Sequence, residues 1–190
     1  MIRPTLLIVP GLRDHVAGHW QTHLAAQWPG ARTVEPITID RFSRAARVAA
    51  LDDALAAIDG PVVIAAHSAG CMITVHWAAT SPRRAVVGAL LATPADLERP
   101  MPPGYPALDL LERNGWLPIP RLRLPFPSLV AASTDDPLAG FDRVSAFAER
   151  WGSRLVDLGA VGHLNPASGF GEWPAAMTLV ERLCEGSQAG

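Results

Sequence analysis

Val62-Val63-Ile64-Ala65-Ala66-His67-Ser68-Ala69-Gly70 is the stretch on which the reading of this chain turns. Val62 to Ala66 is an unbroken apolar run of strand length, which predicts a strand buried on both faces. Cys71 to Thr80 reads as a helix with a mostly apolar face. Between them stands a serine, with Ala66 two residues before it and Gly70 two residues after. A strand that turns at once into a helix around such a serine is the setting of a G-x-S-x-G nucleophile elbow. Only very small residues fit at the flanking positions of so sharp a turn, and the serine is left projecting from the strand tip. Alanine stands where the pattern has its first glycine. Its methyl fits many such turns, but a positive φ there would be costly. Serine is also a favoured helix N-cap, so this stretch alone leaves both roles open for Ser68.

Outward from the elbow, apolar runs alternate with helical patterns. Strands are expected at Thr5–Val9, near Thr33–Pro36, and at Val62–Ala66, Val86–Ala92, Ser128–Ala132 and Arg154–Leu158. Helices are expected at His19–Trp28, Ser43–Ile58, Ala69–Thr80, Arg143–Trp151 and Trp173–Cys184. The alternation predicts an α/β fold around a parallel sheet. In Ser43–Ile58 the residues Val48, Leu51, Leu55 and Ile58 recur at helical spacing, and Asp59-Gly60-Pro61 ends the pattern with Gly60 read as the C-cap.

One segment breaks the rhythm. Between Thr93 and Pro127, prolines stand at 94, 100, 102, 103, 106, 118, 120, 125 and 127. That density excludes long helices and central strands. The segment follows a strand end, where the clefts of α/β sheets lie. It is read as a cap-like piece over residues 93–127, with Met101, Tyr105, Leu108, Leu111, Trp116, Leu117 and Phe126 as candidate apolar walls. The plainer alternative is a long surface connection.

Composition narrows the function classes. The chain has 190 residues, 49% of them hydrophobic, which suits one globular domain spanning 1–190. Net charge is -2 without a basic run, so no nucleic-acid partner is expected. All 16 basic residues are arginines, scattered enough that most read as solvated surface. The two cysteines, Cys71 and Cys184, do not make a disulfide framework, and Cys71 reads as a small core residue. No run approaches the ~18 apolar residues of a membrane span. The first strand's apolar run is too short for a signal peptide's core. A soluble cytoplasmic protein is expected.

A serine hydroxyl needs a base to take its proton, and the base needs a partner to orient it. Ser133-Thr134-Asp135-Asp136-Pro137 follows one predicted strand and Gly162-His163 follows the next. Ser68, Asp136 and His163 are therefore the candidate catalytic residues, each on a loop at a strand's C-terminal end. Asp136 is preferred to Asp135 because Pro137 fixes the backbone around it. An oxyanion would be held by backbone N–H groups of Ala69, after the nucleophile, and of Leu12, beyond the first strand, where Gly11 allows close approach. His15, His19 and His23 recur every four residues, which raises a metal site. No H-E-x-x-H pattern or carboxylate cluster accompanies them, so no metal and no cofactor is expected. His67 reads as hydrogen-bonded rather than catalytic, and His76-Trp77 as packing.

Several blocks together resemble the small single-domain serine hydrolases of the RBBP9/YdeN family. They are Pro10-Gly11-Leu12 with His19-Trp20-Gln21, Ala66-His67-Ser68-Ala69-Gly70-Cys71 with His76-Trp77, Ser133-Thr134-Asp135-Asp136-Pro137, and Gly162-His163-Leu164-Asn165 with Ser168-Gly169-Phe170-Gly171-Glu172-Trp173-Pro174. The resemblance implies a three-layer α/β-hydrolase fold shortened at its N-terminus, with about six mainly parallel strands in the order 2-1-3-4-5-6. It also implies a triad of Ser68, Asp136 and His163. The expected reaction is hydrolysis of a small carboxylic ester, thioester or activated amide through an acyl-enzyme. The alternatives are acyl transfer, and a hydrolase-fold module that acts by binding a partner.

Overall fold

The computed structural model describes residues 3–14, 16–80 and 85–186. Six strands form one sheet: β1 (Thr5–Val9), β2 (Arg32–Thr33), β3 (Val62–His67), β4 (Val86–Ala92), β5 (Ser128–Ala132) and β6 (Arg154–Asp157). Their order is β2-β1-β3-β4-β5-β6, and every neighbouring pair is parallel. Among the described residues six α-helices connect or flank them: α1 (Trp20–Gln27), α2 (Arg44–Ala56), α3 (Ala69–Ala78), α4 (Leu108–Arg113), α5 (Phe141–Trp151) and α6 (Ala175–Gly186).

Successive side chains on a strand face opposite ways, and here both ways are covered. Leu7 and Val9 of β1, with Ile64 of β3 and Val130 of β5, pack against α2, α3 and α5. Leu6 and Ile8, with Val63, Leu90 and Leu129, pack against α1 and α6. That is why the central strands read as continuous apolar runs rather than as alternation. Cys71 and Cys184 lie in these two separate layers, on opposite faces of the sheet. Truncating one such side chain, for instance Ile64→Ala, would cost about 2–5 kcal/mol.

The departures from expectation are local. β2 is a two-residue edge strand one position earlier than Thr33–Pro36, pairing only with Leu7 and Ile8. The helix after it closes at Ala56 with Ala57 as its cap, so Gly60 is not the C-cap. Gly60, at φ +92°, instead turns the chain into β3. α4 has no counterpart among the expected helices. It fits in the proline-free gap between Pro106 and Pro118, where six residues complete a helical turn and a half.

The strand order reverses between β1 and β3: the chain leaves β1 for β2 on one side and returns to β3 on the other. A crevice opens at the carboxyl ends of strands where the order reverses. The loops after β1 and β3 carry Gly11–Asp14 and Ser68.

Candidate active site

Ser68 joins β3 directly to α3, with φ 57° and ψ -126°. The strained backbone position is therefore the serine itself, not Ala66, which lies inside β3. The alanine substitution thus meets no positive φ. The glycine two residues on is forced by crowding. A Cβ on Gly70 would run into the carbonyl oxygen of Val9 and stand 2.7 Å from that of Pro10. The elbow is thus packed against the end of β1. From that side Gly11 faces the serine, where a Cβ would lie 3.5 Å from Ser68 Oγ. Ala69 opens α3, where helix geometry leaves N–H groups without an intrahelical carbonyl.

Asp136 and His163 come together from the loops after β5 and β6. His163 Nδ1 is 2.9 Å from Asp136 Oδ2 and 3.0 Å from Oδ1. A carboxylate only accepts, so Nδ1–H donates and Nε2 is left as an acceptor. Oδ1 also accepts from the Leu138 amide at 2.8 Å. Both side chains are buried.

Asp135 has a different task. Its Oδ1 accepts from Ser133 Oγ at 2.8 Å and from the Gly162 amide at 2.7 Å, tying the two loops together. The Gly162 amide, first among these contacts, holds its carboxyl below the ordinary aspartate range. Gly162 itself has φ +55°, and a Cβ there would collide with Ser168 Cβ at 2.6 Å. Asn165 and Ser168 then close a reciprocal cap: Asn165 Oδ1 accepts from the Ser168 amide and Ser168 Oγ from the Asn165 amide.

Three buried polar groups support the site; His67 is hydrogen-bonded as its sequence reading has it, while the roles of Gln21 and Arg47 escape such a reading. The first is His67, whose Nε2–H donates to the His163 carbonyl oxygen at 2.9 Å. Burial, with His163 and His19 nearby, keeps its pKa well below the ordinary histidine value. The hydrogen bond to the His163 carbonyl pulls the other way, and burial outweighs it. The second is Gln21, whose side-chain amide donates to the carbonyls of Val9 and Ala65, bracing β1 against β3. The third is Arg47 on α2, only 4% exposed. It donates to Asp14 Oδ1 at 2.7 Å, to the Leu12 carbonyl at 3.4 Å and to the Arg41 carbonyl at 2.8 Å. One buried guanidinium therefore fixes both the loop after β1 and the loop before α2. Nothing in its sequence neighbourhood distinguishes Arg47 from the other scattered arginines.

A cavity of about 660 Å³ takes in Ser68, His163, Ala69 and Leu12 together. The proline-rich segment contributes Ala95, Leu97, Met101, Gly104, Tyr105 and Pro106 to its wall. Of the candidate walls, Met101 and Tyr105 are there. Leu108, Leu111, Trp116, Leu117 and Phe126 do not line it. Leu111, Trp116 and Phe126 are buried in the core instead, and Trp116 Nε1 donates to the Phe42 carbonyl at 2.7 Å. Large apolar side chains gain more from a closed core than from a solvent-filled wall.

His19 caps α1, its Nδ1 accepting from the Gln21 amide, and its ring lies 4.5 Å from that of His67. His15 lies outside the described residues. Among the described residues no three His, Cys, Asp or Glu side chains form a metal-holding group, and no helix is long and apolar enough to cross a membrane.

A parallel sheet covered on both faces, with a strained serine between strand and helix at the switch point, defines an α/β hydrolase. Residues 6–182 match the serine hydrolase family, and the chain belongs to it. It is an enzyme with hydrolase activity. A YdeN-like hydrolase from Pectobacterium atrosepticum is 30% identical, with a TM-score of 0.79 over 98% of this chain and 91% of that one. The YdeN protein of B. subtilis is 17% identical, with a TM-score of 0.77 over 95% of this chain and 98% of that one. Est1E from Butyrivibrio proteoclasticus, 13% identical, shares the fold at a TM-score of 0.70 over 99% of this chain and 89% of that one. No curated protein matches the chain.

Proposed function

We propose that Ser68, His163 and Asp136 act as a catalytic triad that cleaves a small carboxylic ester, thioester or activated amide. The observation that carries this reading is that His163, held by Asp136, lines the same cavity as Ser68, which stands at positive φ. His163 Nε2 accepts the Ser68 proton as Oγ attacks the acyl carbon. The amides of Leu12 and Ala69 take the charge that develops on the carbonyl oxygen. Collapse breaks the bond to the leaving group, which leaves with the proton from His163. Water then adds to the acyl-enzyme, giving its proton to His163, and the acid departs as Ser68 recovers a proton. Asp136 holds the tautomer and steadies the imidazolium. The reaction needs no group beyond these residues. Residues 93–106 form the cap side of the acyl pocket.

The test is labelling by a fluorophosphonate, which reacts with an activated serine. Wild type should be labelled once, on Ser68, and Ser68→Ala should lose the label while keeping its circular dichroism. Labelling that persists in folded Ser68→Ala would refute the assignment.

A further inference from the structure

The cavity has an uneven charge inventory. Asp14 is the one carboxylate on its wall among the described residues, and it is occupied by buried Arg47 at 2.7 Å. Arg13 and Arg41 also stand on the wall, both exposed, and neither has a carboxylate partner among the described residues. Each lies instead against an aromatic ring that is itself part of the wall. The Arg13 guanidinium is 5.0 Å from the centre of the Tyr105 ring, and that of Arg41 is 4.8 Å from the centre of the Phe42 ring. Contact with a ring face orients a guanidinium while leaving N–H donors in its plane for another group.

The two arginines are set up by the same buried residue. Arg47 draws Asp14 away from its neighbour Arg13, and it holds the Arg41 backbone through the carbonyl oxygen. The result is a cavity whose reacting end is neutral or paired and whose wall carries two available cations. Resting on the hydrolase reading above, we propose that the substrate is an anion, with a carboxylate or phosphate remote from the scissile carbonyl engaged by Arg13 and Arg41. Guanidinium pairs naturally with both oxyanions, through two parallel N–H donors. The anionic group could sit on the acyl part or on the leaving group, and the experiment separates the two.

The test compares kcat/KM within two pairs of esters. The first pair is the 4-nitrophenyl monoester of adipate with its remote carboxyl free, and the same ester with that carboxyl methylated. The second pair is 4-carboxyphenyl hexanoate and its methyl ester. Fluorophosphonate labelling of Ser68 is measured in parallel on every protein. An anionic ester should exceed its methylated twin by about fivefold. The gain should appear in the adipate pair if the acyl part carries the charge, and in the hexanoate pair if the leaving group does. Arg13→Gln with Arg41→Gln should collapse that ratio toward one, with Ser68 still labelled. The preference should also shrink as salt rises, since exposed charges are screened beyond about 10 Å at 0.1 M. Labelled enzyme that cleaves both twins of each pair equally would overturn this proposal while leaving the triad reading intact. Absence of both labelling and turnover would overturn the triad reading and this proposal with it.

Discussion

The floor and the rim of the cavity are built on opposite principles. On the floor, Asp136, His163 and His67 are buried, and each makes a defined hydrogen bond: imidazole N–H to carboxylate, imidazole N–H to backbone carbonyl. On the rim, Arg13 and Arg41 are exposed and rest on ring faces without a counter-charge among the described residues. A floor of this kind has one arrangement, and removing a single atom leaves an uncompensated buried group. A rim of this kind adapts, and its contributions are small, graded and salt-dependent. The contrast separates the residues that would perform a reaction from those that would choose its substrate.

The largest effect expected from breaking the contrast is at Asp136. Asp136→Asn keeps the shape but offers His163 Nδ1 the wrong partner. The equivalent change in a serine protease triad costs about 10⁴ in kcat, and a loss of that order is expected here. Asp135→Asn, one residue away, should cost about tenfold at most, by loosening the Gly162 amide. Steady-state kinetics on the two variants checks this, and equal losses would show that the two loops act only as scaffold.

Trp116 tests where the proline-rich segment stops being rim and becomes core. Trp116→Ala should lower stability by about 3–5 kcal/mol in denaturant unfolding. It should leave the acyl-chain preference where it was, because the indole fills the interior and does not line the cavity. A shift of the optimum toward longer esters would place the ring on the wall after all.

Arg47 joins the two regions, and its loss should be felt in both. Arg47→Met should destabilise by about 3 kcal/mol, since Asp14 and two carbonyls lose their donor. It should lower kcat/KM for charged and uncharged esters alike, through the Leu12 loop. A loss confined to charged esters would place Arg47 on the rim alone.

The smallest effect concerns pH. Burial lowers the pKa of His76 from 6.5 to about 4, with its Nε2–H donating to the Trp116 carbonyl. The unfolded chain therefore binds the proton more readily than the folded one. Stability should be full above about pH 6.5 and should fall as pH drops toward 4. Thermal midpoints across that window, in wild type and His76→Asn, check this. An unchanged acid limb in the variant would assign it to other groups, His67 first.

How much of this is legible in the sequence varies with the physics of each part. The ends of β1, β4 and β5 are readable because both faces of those strands are buried, so apolar runs mark their limits. β2 is misplaced by such a reading because an edge strand of two residues has no periodicity to read. Ser68, Asp136 and His163 stand out from residue types and order, and the fold brings the last two within hydrogen-bond distance. Asp135 and Asp136 can be ranked only by the following proline, since their different partners arrive from another strand. Arg47 and Gln21 leave no local signal. Their roles depend on carbonyls that are distant in sequence and brought close by the sheet. The same holds for Trp116, whose burial is decided by α3 and by the loop ending at Phe42.

The most direct measurement is rapid acid quenching of the enzyme during turnover of a 4-nitrophenyl ester, followed by peptide mass spectrometry. The expected result is one acyl group per chain, carried by the peptide containing Ser68 and attached to that residue. It should accumulate in the first turnover and be absent in Ser68→Ala. Steady release of 4-nitrophenolate with the acyl group on another residue, or on none, would contradict the assignment of Ser68 as the nucleophile.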